Sequence, residues 1–171
     1  MVRQSIILIF LSALLGLLGN TISPNWIPYI GAYRDLSGGD GPIVPPVAEP
    51  GDPPFIDINT AQMVHSTSNV LFIDAREYEE FECGTIPGSV NIPFDYLPED
   101  DLDVYFDSVL AGVPSDCHLI TFCSGEECDL SLYLGRLLQD HGYGHVTIFF
   151  GGSREWEKFG FEVERRRQCE S

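Results

Sequence analysis

Residues 118–141 read His118-Leu-Ile-Thr-Phe-Cys123-Ser-Gly-Glu-Glu-Cys128-Asp-Leu-Ser-Leu-Tyr-Leu-Gly-Arg-Leu-Leu-Gln-Asp-His141. The first five are a nearly continuous apolar run, which suits a strand buried on both faces of a parallel sheet. From 129 to 141 the period changes: Leu130, Leu134, Leu137 and Leu138 fall on one helical stripe, and Gly142 marks the stop. Between them lies a six-residue turn that begins and ends in cysteine. A parallel sheet places its sites beyond the carboxyl ends of its strands, and Cys123 stands at such an end. At the start of the following helix, unpaired N–H groups and the helix dipole favour negative charge, which lowers a thiol pKa from its ordinary value near 8.5. Gly125 permits the backbone angles of a tight loop. Cys123 is therefore a candidate nucleophile; its plainer reading is a small buried hydrophobe closing a strand.

The same alternation extends in both directions. Strands are expected at 55–58, 70–73, 90–92 and 146–150. Helices are expected at 61–65 (capped by Asn59 or Thr60), at 77–81, at 102–110 and around Trp156. This pattern predicts an α/β domain of three layers on a mainly parallel central sheet, over 55–165. A short tail, 166–171, follows. Upstream, 37–54 is rich in Gly and Pro, and 24–54 as a whole is expected to form an extended linker, with a surface loop packed on the domain as the other reading of its last few residues.

Residues 1–23 differ from everything after them. Arg3 precedes Ile6-Ile-Leu-Ile-Phe-Leu-Ser-Ala-Leu-Leu-Gly-Leu-Leu18, 13 residues without a charge. That length suits the core of a signal peptide and is short of the roughly 20 residues of a spanning helix. Cleavage after Thr21 would leave Gly19 upstream, a weak site. An uncleaved hydrophobic helix that borrows 21–30 for length is the other reading. Arg3 before the run predicts that the body lies outside the cytoplasm: membrane-anchored, or secreted if the segment is removed.

The chain carries 9 Lys+Arg against 26 Asp+Glu, a formal net charge of −17. Residues 1–54 hold only Arg3 and Arg34 against Asp35, Asp40, Glu49 and Asp52, so most of the excess sits on the body. Such a surface repels phosphate backbones, and nucleic acid is not an expected partner. Small anions are disfavoured too, unless a local basic pocket receives them. Five cysteines are too few for a disulfide scaffold, and Cys83, Cys117 and Cys169 have no motif around them. Cys117 and His118 should turn to opposite sides of a strand at its far end, so neither a metal nor a cofactor is expected. His65, His141 and His145 read as surface residues.

A second stretch joins the first. Asp74-Ala-Arg76-Glu-Tyr-Glu-Glu80-Phe81-Glu-Cys-Gly84-Thr-Ile86-Pro87-Gly88-Ser-Val-Asn91-Ile92-Pro93 resembles a signature of the rhodanese family. Gly151-Gly152, Trp156, Gly160-Phe161 and Val163-Glu164 are similar to that family's closing strand–helix tail. The resemblance covers 55 to about 164 and implies a sulfurtransferase-type fold whose loop cysteine, here Cys123, carries sulfur as a persulfide. Asp74 and Arg76 are read as structural support, with Arg76 pairing to Glu77 or Glu80.

Two positions depart from the family pattern. Thr85 stands where His often precedes Ile-Pro-Gly. Cys128 stands where typical members place a basic residue, and Glu126, Glu127 and Asp129 surround it. Thiosulfate therefore lacks a charge-assisted partner in the loop, and weak thiosulfate activity is expected. Phosphatase or arsenate-reductase chemistry lacks its oxyanion-binding Arg for the same reason. The carboxylates oppose the helix dipole in setting the Cys123 pKa. Cys128 has three readings: a resolving thiol that attacks a persulfide or sulfenate on Cys123, one half of a standing disulfide, or an inward-facing helix residue. The function expected is persulfide transfer or thiol–disulfide exchange through Cys123, Ser124, Gly125 and Cys128, with a sulfur donor or acceptor or a thiol protein as partner. The alternative is a non-catalytic docking module at the membrane.

Overall fold

The computed structural model describes residues 41–169 together with Ser5, Ser12, Gly16 and Gly19. The segment expected at 1–23 lies outside the described residues apart from those four, which are helical and exposed. Among the described residues no helix is long and apolar enough to cross a membrane. The chain divides into Met1–Asp35 and Leu36–Ser171, and the second unit holds the sheet.

Four parallel strands form that sheet in the order β2-β1-β3-β4: β1 Val70–Asp74, β2 Val90–Asn91, β3 His118–Phe122 and β4 Val146–Phe149. The helices are α1 Ile58–His65, α2 Tyr78–Cys83, α3 Leu102–Val109, α4 Leu130–Asp140 and α5 Gly152–Lys158, with a 3-10 turn at Phe94–Tyr96. Strand alternation sorts the core into two faces. Phe72, Ile120, Phe122 and Phe149 pack with Ile58 and Ala61 of α1 and Trp156 of α5. Ile73 and Leu119 pack on the other face with Phe106 of α3 and Leu134 and Leu138 of α4. The domain is thus three layers deep. Gly135 brings α4 close to the sheet: a Cβ there would lie 3.2 Å from side-chain atoms of Thr121 and Ile148.

Register positions the site. β1 and β3 pair from Val70 opposite His118 to Asp74 opposite Phe122, and the Ala75 N–H continues the ladder to the Phe122 carbonyl at 2.8 Å. Arg76 and Cys123 therefore leave the sheet at the same edge. This is the carboxyl end of the two central strands.

Several expectations change. The strand expected at 55–58 shrinks to one parallel bridge, Phe55 to Ile148. Pro54 supplies only a carbonyl to this pairing, and Asp57 then starts the helix by accepting the Thr60 N–H at 2.8 Å, ahead of the expected caps at Asn59 or Thr60. Residues 41–54 lie against the domain: Ile43 is buried with Leu132, Ile148 and Phe150, and Asp52 pairs with Arg136 at 2.6 Å. Composition alone gave this stretch an extended form, but Ile43 and Asp52 each find a partner on the domain surface.

The C-terminal tail is fastened as well. Cys83 and Cys169 form a disulfide, and the backbone N–H groups of Arg166 and Arg167 donate to the Glu82 carbonyl. His65, expected at the surface, is half-buried. Its ring lies 5.1 Å from Trp156 and 5.5 Å from Phe72, and its Nε2 hydrogen-bonds the Pro87 carbonyl.

Candidate active site

Cys123 closes β3 and is completely buried. Its Sγ donates to the Cys128 carbonyl at 2.7 Å and lies 3.5 Å from Ser131 Oγ, one turn into α4. The loop is held from above by the turn between β4 and α5. Ser153 N–H donates to the Cys123 carbonyl at 2.9 Å, and Arg154 N–H to the Ser124 carbonyl at 3.2 Å. Gly152 makes this approach feasible, with φ +63 and a position where a Cβ would sit 2.3 Å from the Cys123 carbonyl oxygen. Gly125 faces it with φ +135 and a would-be Cβ 2.9 Å from the Gly151 carbonyl. Two glycines, one on each side, set the height of the loop.

The two loop cysteines are free thiols, close enough for each to shift the other's ionisation. Burial pushes the Cys123 thiol well up, and the neighbouring Cys128 adds to the rise. Cys128 is drawn down to about 6, foremost by the hydrogen bond from Cys123, with the Ser124 and Leu130 N–H groups adding to it against burial. The first proton of the pair is therefore lost from Cys128, while Cys123 keeps its own, directed at the Cys128 carbonyl. The expected contest between helix dipole and carboxylates takes another form, since burial and Cys128 set the Cys123 shift. Glu126 acts on Glu155 instead, helping burial to raise its pKa. Glu127 lies 3.7 Å from Arg154, and Asp129 occupies the N-cap position of α4 without a side-chain capping bond.

Arg76 departs from its expected pairing. Its partner is Asp74 itself, through Nε at 2.9 Å and a terminal nitrogen at 2.6 Å, and that nitrogen also donates to the Gly84 carbonyl at 2.7 Å. The fork reaches back to the strand end because the Asp74 carboxylate is fully buried and needs donors. Thr85 Oγ1 supplies another at 2.8 Å, so the residue standing in for the family's His completes the same network. Burial works against the Arg76 charge, yet Asp74 outweighs it and raises the pKa; Glu80 and Cys123 add smaller charge effects. Arg76 is thus a fixed cation within electrostatic reach of Cys123.

Beside the loop opens a cleft of about 360 Å³, walled by residues of α2, α5 and the segment 163–165. Ser124 represents the loop in its lining. Arg154, Ser131 and the Cys83–Cys169 bridge are site features that the sequence reading missed. The Gly-Gly motif marked the place of Arg154, and helical spacing placed Ser131 in the first turn of α4. No local signal marks a disulfide whose cysteines are 86 residues apart. Among the described residues no cluster of His, Cys, Asp and Glu has the makings of a metal site.

A parallel α/β sheet that ends in a buried cysteine, cradled by a loop and a helix N-terminus, defines a cysteine-loop domain. The model of the rhodanese-like domain matches residues 59–159, and the chain belongs to that family. It is 30% identical over 95 residues to the HTH-type transcriptional regulator Rv0324 of Mycobacterium tuberculosis, covering 56% of this chain and 38% of that protein. It is 28% identical over 100 residues to the thiosulfate:glutathione sulfurtransferase of Saccharomyces cerevisiae, covering 54% of this chain and 68% of the relative. The match to the first of these thus spans well under half of the relative's length. Among solved structures, the BH2092 protein of Bacillus halodurans superposes with a TM-score of 0.51 at 19% identity, over 64% of this chain and 75% of that one. A thiosulfate sulfurtransferase of Pseudomonas aeruginosa superposes with a TM-score of 0.53 at 18% identity, over 68% and 21%. At these identities the superpositions speak for the fold.

Proposed function

We propose that the domain moves sulfane sulfur, with Cys123 as the persulfide-bearing residue and Cys128 as its proton partner and resolving thiol. The observation that carries this reading is the pair of mutually perturbed free thiols in the loop after β3, in a chain whose relatives include sulfurtransferases. Cys128, ionised near neutrality, takes the proton from Cys123 when a donor R–S–SH enters. The Cys123 thiolate then attacks the outer sulfur. The donor's S–S bond breaks, R–S⁻ leaves with the electron pair and takes the proton back from Cys128, and Cys123–S–SH forms. An acceptor thiolate removes that sulfur by the reverse step. Where no acceptor comes, the Cys128 thiolate attacks Cys123 Sγ, giving the Cys123–Cys128 disulfide and HS⁻. Gly125 N–H, Ser131 Oγ and the Arg76 charge are the groups that favour the Cys123 anion.

The domain acts outside the cytoplasm in this account, tethered by residues 1–23 or released if they are cleaved. The Cys83–Cys169 bridge supports an oxidising compartment. A thiol protein or small persulfide is the partner. Complete burial of Cys123 favours a second reading, a docking module whose cysteine is structural.

Turnover separates the two. A persulfide donor and a thiol acceptor should give sulfur transfer that Cys123→Ser abolishes, while thiosulfate:cyanide turnover stays slow. Transfer that survives Cys123→Ser, or no transfer with a folded wild-type chain, contradicts the enzymatic reading.

A further inference from the structure

The loop position that holds a cation in typical relatives holds Cys128 here, and the body is strongly acidic. The cleft beside the loop nonetheless gathers three guanidinium groups, Arg76, Arg154 and Arg165. Two are committed. Arg76 is locked on Asp74 and the Gly84 carbonyl, and Arg165 is paired with Glu157 at 2.6 Å. Arg154 is different. Its side chain is 69% exposed, and its nearest carboxylate, Glu127 of the catalytic loop, is 3.7 Å away, beyond hydrogen-bond distance. Its backbone is fixed to the loop through the N–H given to Ser124. This guanidinium is anchored at the mouth of the loop and only loosely paired.

We propose that Arg154 is the specificity-determining cation of the cleft, binding a carboxylate of a small persulfide or thiol whose sulfur reaches Cys123. This deepens the sulfur-transfer reading and rests on it for the identity of the reacting group. The pairing of Arg154 favours a carboxylate as its ligand. The planar fork of Arg154 already faces a carboxylate, that of Glu127, and an exposed pair at that distance is easily exchanged for a substrate's.

The test uses the full chain and two matched, unreactive probes, S-methylglutathione and its diethyl ester, titrated calorimetrically. The free acid should bind about five- to tenfold more tightly than the ester, the range of one charge-assisted bond at an exposed site. Arg154→Gln should erase that difference, Arg154→Lys should keep part of it, and Glu127→Gln should tighten acid binding. Arg167→Gln, the same charge change outside the cleft, should leave the preference intact. Equal binding of acid and ester to the wild type, binding of neither, or equal losses in Arg154→Gln and Arg167→Gln would overturn the proposal. With glutathione persulfide as donor, Arg154→Gln should raise KM by the same factor while kcat changes little. If no donor gives Cys123-dependent turnover but the acid preference holds and depends on Arg154, the sulfur-transfer reading fails and the carboxylate site stands.

Discussion

At the scale of single residues the site is two neighbouring thiols of opposite acidity. Cys128 owes its low pKa, about 6, first to the hydrogen bond from Cys123. A thiol with a depressed pKa becomes thiolate as pH rises through that value, so its alkylation should gain rate through about pH 6 rather than near 9. Replacing Cys123 by Ala removes the principal cause and should move the midpoint of Cys128 alkylation upward, by one unit or more for a lost charge-assisted bond of about 1.5–3 kcal/mol. A pH series of iodoacetamide labelling read on Cys128 checks this. An unchanged midpoint in the Ala variant would mean that backbone N–H groups, not Cys123, set the acidity. The sequence disclosed both cysteines and their spacing. It could not disclose which sulfur holds the proton, since that depends on how the loop folds Cys123 inward and leaves Cys128 half-buried.

At the scale of elements the loop is set by what packs on it. β3 and α4 were legible because an apolar run and a leucine stripe have different periods, and the structure places them at His118–Phe122 and Leu130–Asp140. The strand expected at 55–58 was not legible as a bridge, because its apolar residues do not reveal that Asp57 caps a helix. Arg76 was assigned to Glu77 or Glu80 on sequence proximity, yet the buried Asp74 carboxylate had the stronger claim on it. The β4–α5 turn is the element on which loop geometry rests. Gly152→Ala there meets both a positive φ and a contact of 2.3 Å to the Cys123 carbonyl. Strain alone should lower stability by about 1–3 kcal/mol, measurable by urea unfolding. The same variant should alter the rate at which Cys123 is labelled in the folded protein, because the loop must yield to the added methyl. Unchanged stability and labelling would show that the turn does not brace the loop.

At the scale of the molecule the chain joins an acidic body to a cleft in which three arginines gather. Val163 and Arg165 close one wall of that cleft, and the tail that follows them is held by the Cys83–Cys169 bridge. A cross-link closing a loop of this length stabilises by about 2–4 kcal/mol, chiefly by restricting the unfolded chain. Cys169→Ser should therefore lower the unfolding free energy by that amount in non-reducing buffer. Wild type in reductant should approach the variant; equal stability of the two without reductant would contradict the bridge. Composition correctly gave the acidic excess but averaged over the surface, so it concealed the arginines that folding gathers from 76, 154 and 165. The long separation of Cys83 and Cys169 hid the bridge for the same reason.

The central claim is that sulfur is carried on Cys123. The most direct measurement is mass spectrometry of the loop peptide after the reduced full chain meets a persulfide donor, with alkylation to trap each cysteine. The account predicts one added sulfur on Cys123, absent in Cys123→Ser, and retained longer in Cys128→Ser because the resolving thiol is gone. Added sulfur on Cys128 alone, or none on either residue of a folded chain, would contradict it.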